Sequence, residues 1–377
     1  MIPAARLMNM SKGVGSQAIN TGYSLIELMV TMLIGLIILN GVFQIVIASK
    51  RSSIDHQEIS YIQENARFAL DIISRDVRMA GYLGCANRNT QQVNVIAHDV
   101  MGFIGTAGIV GFDHESGTQK FPTQYRELVK DKTDSLMIRR GEYEQEFLVR
   151  AQNPSTQTIS LWSNHSFDKD QPLAMVDASC RFSALFTAAS LPAATEISHQ
   201  ASGNNCSATL RGQYTCQQCS EGNCPNQLVH ASYPAGSRVM PLISNAYFIG
   251  ESTLLPGAPA LKRQTLSVVA GALTTQTEEL ATGIENIQLQ YGVDINNDGQ
   301  ISEYRSAHQM DINGDGTIDN SDWQSVRTVK IELLLVSQSP AFTEPQTVKF
   351  AGIEYTGLFM RQVVSSTITI RNTHSQS

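Results

Sequence analysis

The stretch Asp311-Ile312-Asn313-Gly314-Asp315-Gly316-Thr317-Ile318-Asp319-Asn320-Ser321-Asp322 carries oxygen-bearing side chains at the first, third, fifth, ninth and twelfth places. Gly316 stands where a calcium loop needs a sharp turn, and Thr317 offers its carbonyl at the seventh place. Four carboxylates this close repel one another unless a cation sits among them, so the chemistry implied is calcium binding. The twelfth residue is Asp rather than the longer Glu, which shortens its reach. Asp294-Ile295-Asn296-Asn297-Asp298-Gly299-Gln300-Ile301-Ser302 begins the same pattern earlier. There Asp294, Asn296, Asp298 and Gln300 are weaker candidates, because the twelfth place is Arg305, which cannot ligate, although Glu303 is a possible substitute. A second ion, a half-site sharing one ion and a plain tight turn all fit this second loop. The residues flanking both loops read as strands, so a bound ion would pin a loop to a sheet rather than open a helix pair.

Six cysteines, Cys85, Cys180, Cys206, Cys216, Cys219 and Cys224, form the second constellation. In an oxidising compartment they read as three disulfides, with fifteen possible pairings. Cys85 and Cys180, apart from the rest in sequence, are candidates to pair with each other. Cys216-Gln217-Gln218-Cys219 with Cys206 and Cys224 also admits a four-cysteine zinc site or a redox pair, though the spacing is loose and no βαβ context accompanies it. The eight histidines are scattered. His98 and His114 lie near Asp99, Asp113 and Glu115 as surface loops commonly do. No nucleophile elbow, zinc-protease or phosphate-loop motif occurs, and no active site or enzymatic activity is expected.

The elements that must position these groups fall into two regimes. From Ser24 to about Ala80 there is no proline, and Ile62, Ala66, Ala69, Ile73, Val77 and Ala80 recur at three- and four-residue steps. That spacing predicts one long helix with a single apolar stripe, stopped at Gly81. Its first part, Leu28–Ala48, is an apolar run long enough to span ~30 Å of hydrocarbon. Gly35, Asn40, Gly41 and Gln44 interrupt that run, as suits helices packing on helices. Glu27 opens it. A carboxylate at such depth costs on the order of 2–4 kcal/mol and calls for a partner. After Gly81 short β-like runs follow: Ser135–Arg139, Phe147–Arg150, Thr158–Trp162, Ile284–Val293, Val326–Val336 and Gln362–Arg371. The expected fold class is α+β, a long N-terminal helix on a mainly antiparallel sheet. Residues of about 177–260, rich in cysteine, proline and polar residues, read as an insertion held by crosslinks rather than by a large core.

Composition narrows the function. The chain is 377 residues long, 42% hydrophobic and 16% charged, as a folded protein is, and carries a net charge of −7 from 34 acids and 27 bases. The bases do not cluster on one face, which argues against nucleic acid as a partner. Acidity peaks over 294–322, in keeping with a cation there.

Gly22-Tyr23-Ser24-Leu25-Ile26-Glu27 joins the apolar run to a leader that carries Arg6 and Lys12 and no acid. A basic leader placed before the apolar segment, with the cleavage-type residues at the junction, is the reverse of a secretory signal. It resembles the class III leader of type IV prepilins. The resemblance implies removal of residues 1–22 by prepilin peptidase between Gly22 and Tyr23, and methylation of the new amino terminus. It also implies an assembly role for Glu27, neutralised by the terminal ammonium of a neighbouring subunit. Residues 23–80 would then be the transmembrane and assembly helix, and 81–377 a periplasmic head of pilin-like fold.

Phe68-Ala69-Leu70-Asp71-Ile72-Ile73-Ser74-Arg75-Asp76-Val77-Arg78-Met79-Ala80-Gly81-Tyr82 resembles the helix exit of PilW-type minor pilins of type IV pili. The run from Trp323 through Val326–Val336 and the closing Arg361–Asn372 are similar to that family's late strands. The resemblance covers 22–85 and roughly 284–372, and implies a minor pilin of the inner membrane and the pilus tip. Its implied partners are other minor pilins, the major pilin and the inner-membrane assembly platform, with pilus assembly, adhesion and twitching motility as the setting. A minor pseudopilin of a type II secretion system and a pilus-tip adhesin head on a pilin stem are the competing readings.

Overall fold

The computed structural model describes residues 24–85, 92–113, 121–122, 125–201, 203–220 and 223–373. The leader, the expected cleavage pair Gly22 and Tyr23, and His114 and Glu115 lie outside the described residues. The chain divides into two compact units, residues 1–56 and 57–377.

One helix, Leu25–Met79, is 55 residues long, about 80 Å at 1.5 Å per residue. In the first unit it is apolar and exposed: Leu25, Ile34, Leu39 and Phe43 all face outward. By length and composition it can cross a membrane. In the second unit the stripe foreseen from spacing is buried, with Ile62, Ala69, Ile73, Val77 and Ala80 fully enclosed. The helix stops where Gly81 takes a φ of +70°, open to glycine without penalty. The Gly81 N–H is then satisfied by the carbonyl of Arg139 at 2.8 Å.

The rest of the second unit is mostly antiparallel sheet. The strands foreseen after Gly81 form as Ser135–Gly141, Phe147–Asn153, Thr158–Leu161, Ile284–Val293, Val326–Pro340 and Phe359–Thr369. A four-stranded sheet runs in the order Glu303–Arg305, Ile284–Val293, Val326–Pro340, Phe359–Thr369. In Val326–Pro340 the side chains of Val329, Ile331, Leu333 and Leu335 are buried while Lys330 and Glu332 are half-exposed, the expected alternation.

The largest sheet is organised by Arg238–Glu251. Its first residues pair with Pro172–Val176 and Phe147–Asn153, and from Leu242 onward it pairs with Ser135–Gly141 and Pro259–Val269. Pro241, which has no N–H to give a ladder, stands where the strand changes partners. The two halves feed two apolar clusters. One holds the helix stripe with Phe103, Tyr247, Phe248, Tyr291 and Trp323. The other holds Ile96, Val149, Phe186, Tyr214, Tyr233 and Val239. Part of the cysteine-rich segment, including Phe186, Ile197, Leu210 and Tyr233, joins this second cluster together with residues that precede it. Within the segment the strand Phe182–Thr187 is buried almost throughout.

A buried guanidinium and a close-packed glycine shape the larger cluster. The Arg139 guanidinium donates to the carbonyls of Ala107 (2.7 Å), Phe103 (3.2 Å) and Gly102, fixing the loop over 102–107. Burial, offset in part by Asp99, lowers its pKa to about 10. At Gly111 a Cβ would stand 2.0 Å from the hydroxyl of buried Tyr291, so only glycine lets that ring lie edge-on to Trp323 at 4.9 Å.

Candidate functional site

The two acidic loops lie at one end of the four-stranded sheet, one between Ile284–Val293 and Glu303–Arg305 and the other leading into Val326–Pro340. In the later loop Asp311 accepts the N–H groups of Gly314 (2.8 Å), Asp315 (3.2 Å) and Gly316 (2.9 Å), which curls the backbone around its carboxylate. Asp322, almost fully buried, accepts from Ile312 (2.9 Å), Asn313 (3.3 Å) and Asp319 (2.9 Å). Asp315 takes the hydroxyl (2.6 Å) and N–H (2.8 Å) of Thr317, and these bonds hold its carboxyl below the usual range. Asn313 bonds Asp315 at 3.0 Å. A carboxylate has about four lone-pair positions, so these bonds leave oxygens of Asp311, Asp315 and Asp322 free to ligate. No basic residue lies within 311–322. This donor set suits a hard, oxygen-seeking cation such as calcium.

The sequence reading expected strands to flank the loop. The structure instead puts a four-residue helix, Asn320–Trp323, at its end, because the Asp319 side chain caps it by accepting from Ser321 at 2.7 Å. Asp319 is thereby turned toward that cap. The helix also carries Trp323 into the core and Asp322 into the loop.

The earlier loop differs in charge. Asp294, buried, accepts from Asp298 (3.0 Å) and Gly299 (2.9 Å), and its Oδ2 is also 3.1 Å from Nε of buried Arg327. A second nitrogen of Arg327 donates to Asn297 at 3.0 Å. Burial pushes the Asp294 carboxyl up, but the loop N–H groups and Arg327 outweigh it and hold the pKa low. The loop is closed around a guanidinium. Asn296 and Asp298 bond each other at 3.0 Å, and Gln300 gives its N–H to Asp298 at 2.8 Å. Arg305, at the place that spoiled the ligand pattern, donates to the carbonyls of Gln309 (3.1 Å) and Asp311 (3.3 Å) and so ties the two loops together.

The six cysteines form the disulfides Cys85–Cys180, Cys206–Cys216 and Cys219–Cys224. The first fastens the segment after the helix to the turn at Asp177, whose carboxylate accepts from Arg181 and Phe182, each at 2.8 Å. The other two lie against each other, with Cys206 and Cys219 sulfurs 3.8 Å apart. Cys216 and Cys219 are bonded to Cys206 and Cys224 and not to each other. Bonded sulfurs are not the thiolates that ligate zinc, so the arrangement is that of two crosslinks. Glu27 sits in the first turn of the helix, exposed.

A cluster that the sequence reading missed joins helix to sheet. Asp76 is buried on the helix, with Oδ1 3.2 Å from Nε of Arg140. Its Oδ2 accepts from Asn245 and from the Tyr247 hydroxyl, each at 2.6 Å. The signal was present: Asp76 follows Ala69 by seven residues and so falls on the apolar stripe, where a carboxylate must find partners. Higher on the helix Glu58 accepts the N–H of Gln338 at 2.7 Å.

These observations define a class: a β-rich, disulfide-linked body whose N-terminal helix begins with a membrane-competent segment. Residues 246–372, about a third of the chain, match the family model described as Type IV Pilus-assembly protein W, and over that region the chain is similar to PilW-type type IV pilus proteins. The matched region holds both acidic loops and the four-stranded sheet, while the helix and all six cysteines lie outside it. No curated protein and no solved structure matches the chain. The matched family is one of pilus assembly and is not a known enzyme family, and the match supports a role related to pilus assembly.

Proposed function

We propose that this protein is a minor pilin that primes and assembles the type IV pilus in a tip complex with other minor pilins. The observation that carries the reading is the pairing of the family match over 246–372 with Glu27 in the first turn of an exposed apolar helix. Prepilin peptidase cleaves between Gly22 and Tyr23, the new amino terminus is methylated, and Glu27 neutralises the terminal ammonium of an adjacent subunit. The assembly platform extracts the helix from the inner membrane into the filament, and the head stays on the periplasmic side until it reaches the tip.

The loop 311–322 binds one structural calcium through Asp311, Asn313, Asp315, the Thr317 carbonyl, Asp319 and Asp322, with Asp319 leaving its cap to do so. Arg327 already supplies the positive charge at Asp294, which favours one ion over two. The ion fixes the end of the sheet and does not act as a switch.

Mass spectrometry of sheared filaments and of membranes tests the assembly reading. The expected result is a methylated peptide beginning at Tyr23, present at trace level in the filaments. A peptide beginning at Met1, or one beginning after residue 48, overturns it. A correctly processed peptide found in membranes but never in filaments would favour the secretion-system pseudopilin.

A further inference from the structure

The strand Phe359–Thr369 is the outer strand of the four-stranded sheet, and among the described residues nothing pairs with its free side. The N–H of Ile370 points back into the sheet, to the carbonyl of Arg327 at 2.9 Å. In an antiparallel strand the backbone groups alternate from side to side. The N–H and C=O groups of Val363, Ser365, Thr367 and Thr369 therefore point outward. An open edge of this length is a template for another strand, and proteins usually block one with proline, lysine, a bulge or inward charge. Here 359–369 contains no proline or lysine. Its single charge, Arg361, folds onto Glu285 at 2.7 Å and is almost fully buried. The other long edge, Ala272–Thr282, by contrast carries Glu278 and Glu279.

Beside the open edge runs a groove of about 810 Å³ between Gln362 and Val364 on the strand and Gln63, Arg67, Leu70 and Ser74 on the helix. It continues past Asp71 and Arg78, which also line a second hollow with Arg75, Arg140, Glu142, Glu144 and Arg371. Arg75 is paired with Asp71 and Arg140 with Glu142, which leaves Arg78 and Arg371 to meet an incoming acid. The groove thus lies against part of the open strand, at Gln362 and Val364, and leads toward Arg78 and Arg371 at the end where Phe359–Thr369 finishes.

We infer that this edge and groove take an extended segment of another polypeptide, added as a fifth strand, with acidic side chains at the end beside Arg78 and Arg371. Backbone pairing supplies the affinity, alternate side chains of the incoming strand enter the groove, and the arginines set its direction. The inference goes beyond the assembly role proposed above and does not depend on it: if the N-terminal peptide proves unprocessed, the edge can still be tested.

The test uses the full chain in the cells that make it, with p-benzoylphenylalanine in place of Thr367 or, as control, of Thr277 on the charged edge. The expected crosslink at 367 maps to one extended segment of a different protein, with Asp or Glu toward Arg371. Ser365→Pro removes an outward N–H without taking one from the ladder, and should cut the crosslink at least tenfold while thermal melting holds. Arg78→Glu combined with Arg371→Glu, both at exposed positions, should cut it several-fold and serves if the proline variant does not fold. Crosslinks only to a second copy of this chain, to a partner's helix or to lipid overturn the inference. So does the absence of any crosslink, or a yield that neither variant changes.

Discussion

Replacing Asp76 by alanine should loosen the helix from the head. The carboxylate receives Arg140 at 3.2 Å and both Asn245 and Tyr247 at 2.6 Å, within a site only 5% exposed. Its loss strands two buried donors, at about 1–3 kcal/mol each, and removes one partner of a buried ion pair, at about 3–5 kcal/mol. These costs overlap. Arg140 also keeps Glu142 at 3.1 Å and some contact with water, which puts the total near the lower bound, about 3 kcal/mol. For a head of this size, ~2 °C per kcal/mol gives a fall in Tm of roughly 6 °C. Trp323 is fully buried in the cluster that holds the helix stripe, so its fluorescence during thermal unfolding of the detergent-solubilised chain reads the relevant transition. Asp71→Ala is the control. Asp71 lies on the same helix and pairs with Arg75 at 3.7 Å, but both side chains are more than 70% exposed, and such a pair contributes little. Equal melting of Asp76→Ala, Asp71→Ala and wild type would show that the clamp is not what holds the helix.

Other outcomes follow from the same packing. His199 is buried, and its pKa is lowered to about 4, chiefly by burial. The unfolded chain thus takes up a proton that the folded one refuses, and stability falls as the pH drops from about 6.5 toward 4, by about 3 kcal/mol in all. His199→Gln should flatten that part of a denaturation series, and an unchanged slope would refute the assignment. Gly111→Ala forces Tyr291 from its slot, with an overpacking cost of about 1–3 kcal/mol or more; Tyr291→Phe should not rescue it, because the ring carbons are also too close. Calcium should raise the Tm of the wild-type chain and not of Asp311→Ala, since a ligand that binds only the folded state stabilises it. Identical melting in calcium and in chelator removes the ion from the account.

How much of this was legible in sequence depended on the range of the interaction. The helix stripe could be read because Ile62 through Ala80 repeat at the helical period, and the loop 311–322 because its donors are local and evenly spaced. Arg327 could not be read as the counter-charge of Asp294: 33 residues separate them, and only the pairing of Ile284–Val293 with Val326–Pro340 brings them together. Arg238–Glu251 was hidden for another reason. It begins amid proline and polar loops and holds Pro241, features that argue against a central strand, yet a strand that changes partners has a place for proline. The long hairpin Pro259–Val269 and Ala272–Thr282 was also missed, because its charged and threonine-rich outer strand carries little apolar signal.

The strand that changes partners also sets how the body bears tension. Asp76 holds Asn245 and Tyr247 on that strand, so a pull along the helix from residue 57 onward is delivered to its second half. From there it passes lengthwise through covalent backbone to Arg238 and into the ladders of the disulfide-linked side. Cys85–Cys180 offers a second covalent route, from the helix exit to the same side. The helix is thus joined to the body by two separate routes, one through the hydrogen bonds of Asp76 and one through the disulfide, beyond the chain that leaves it at Gly81.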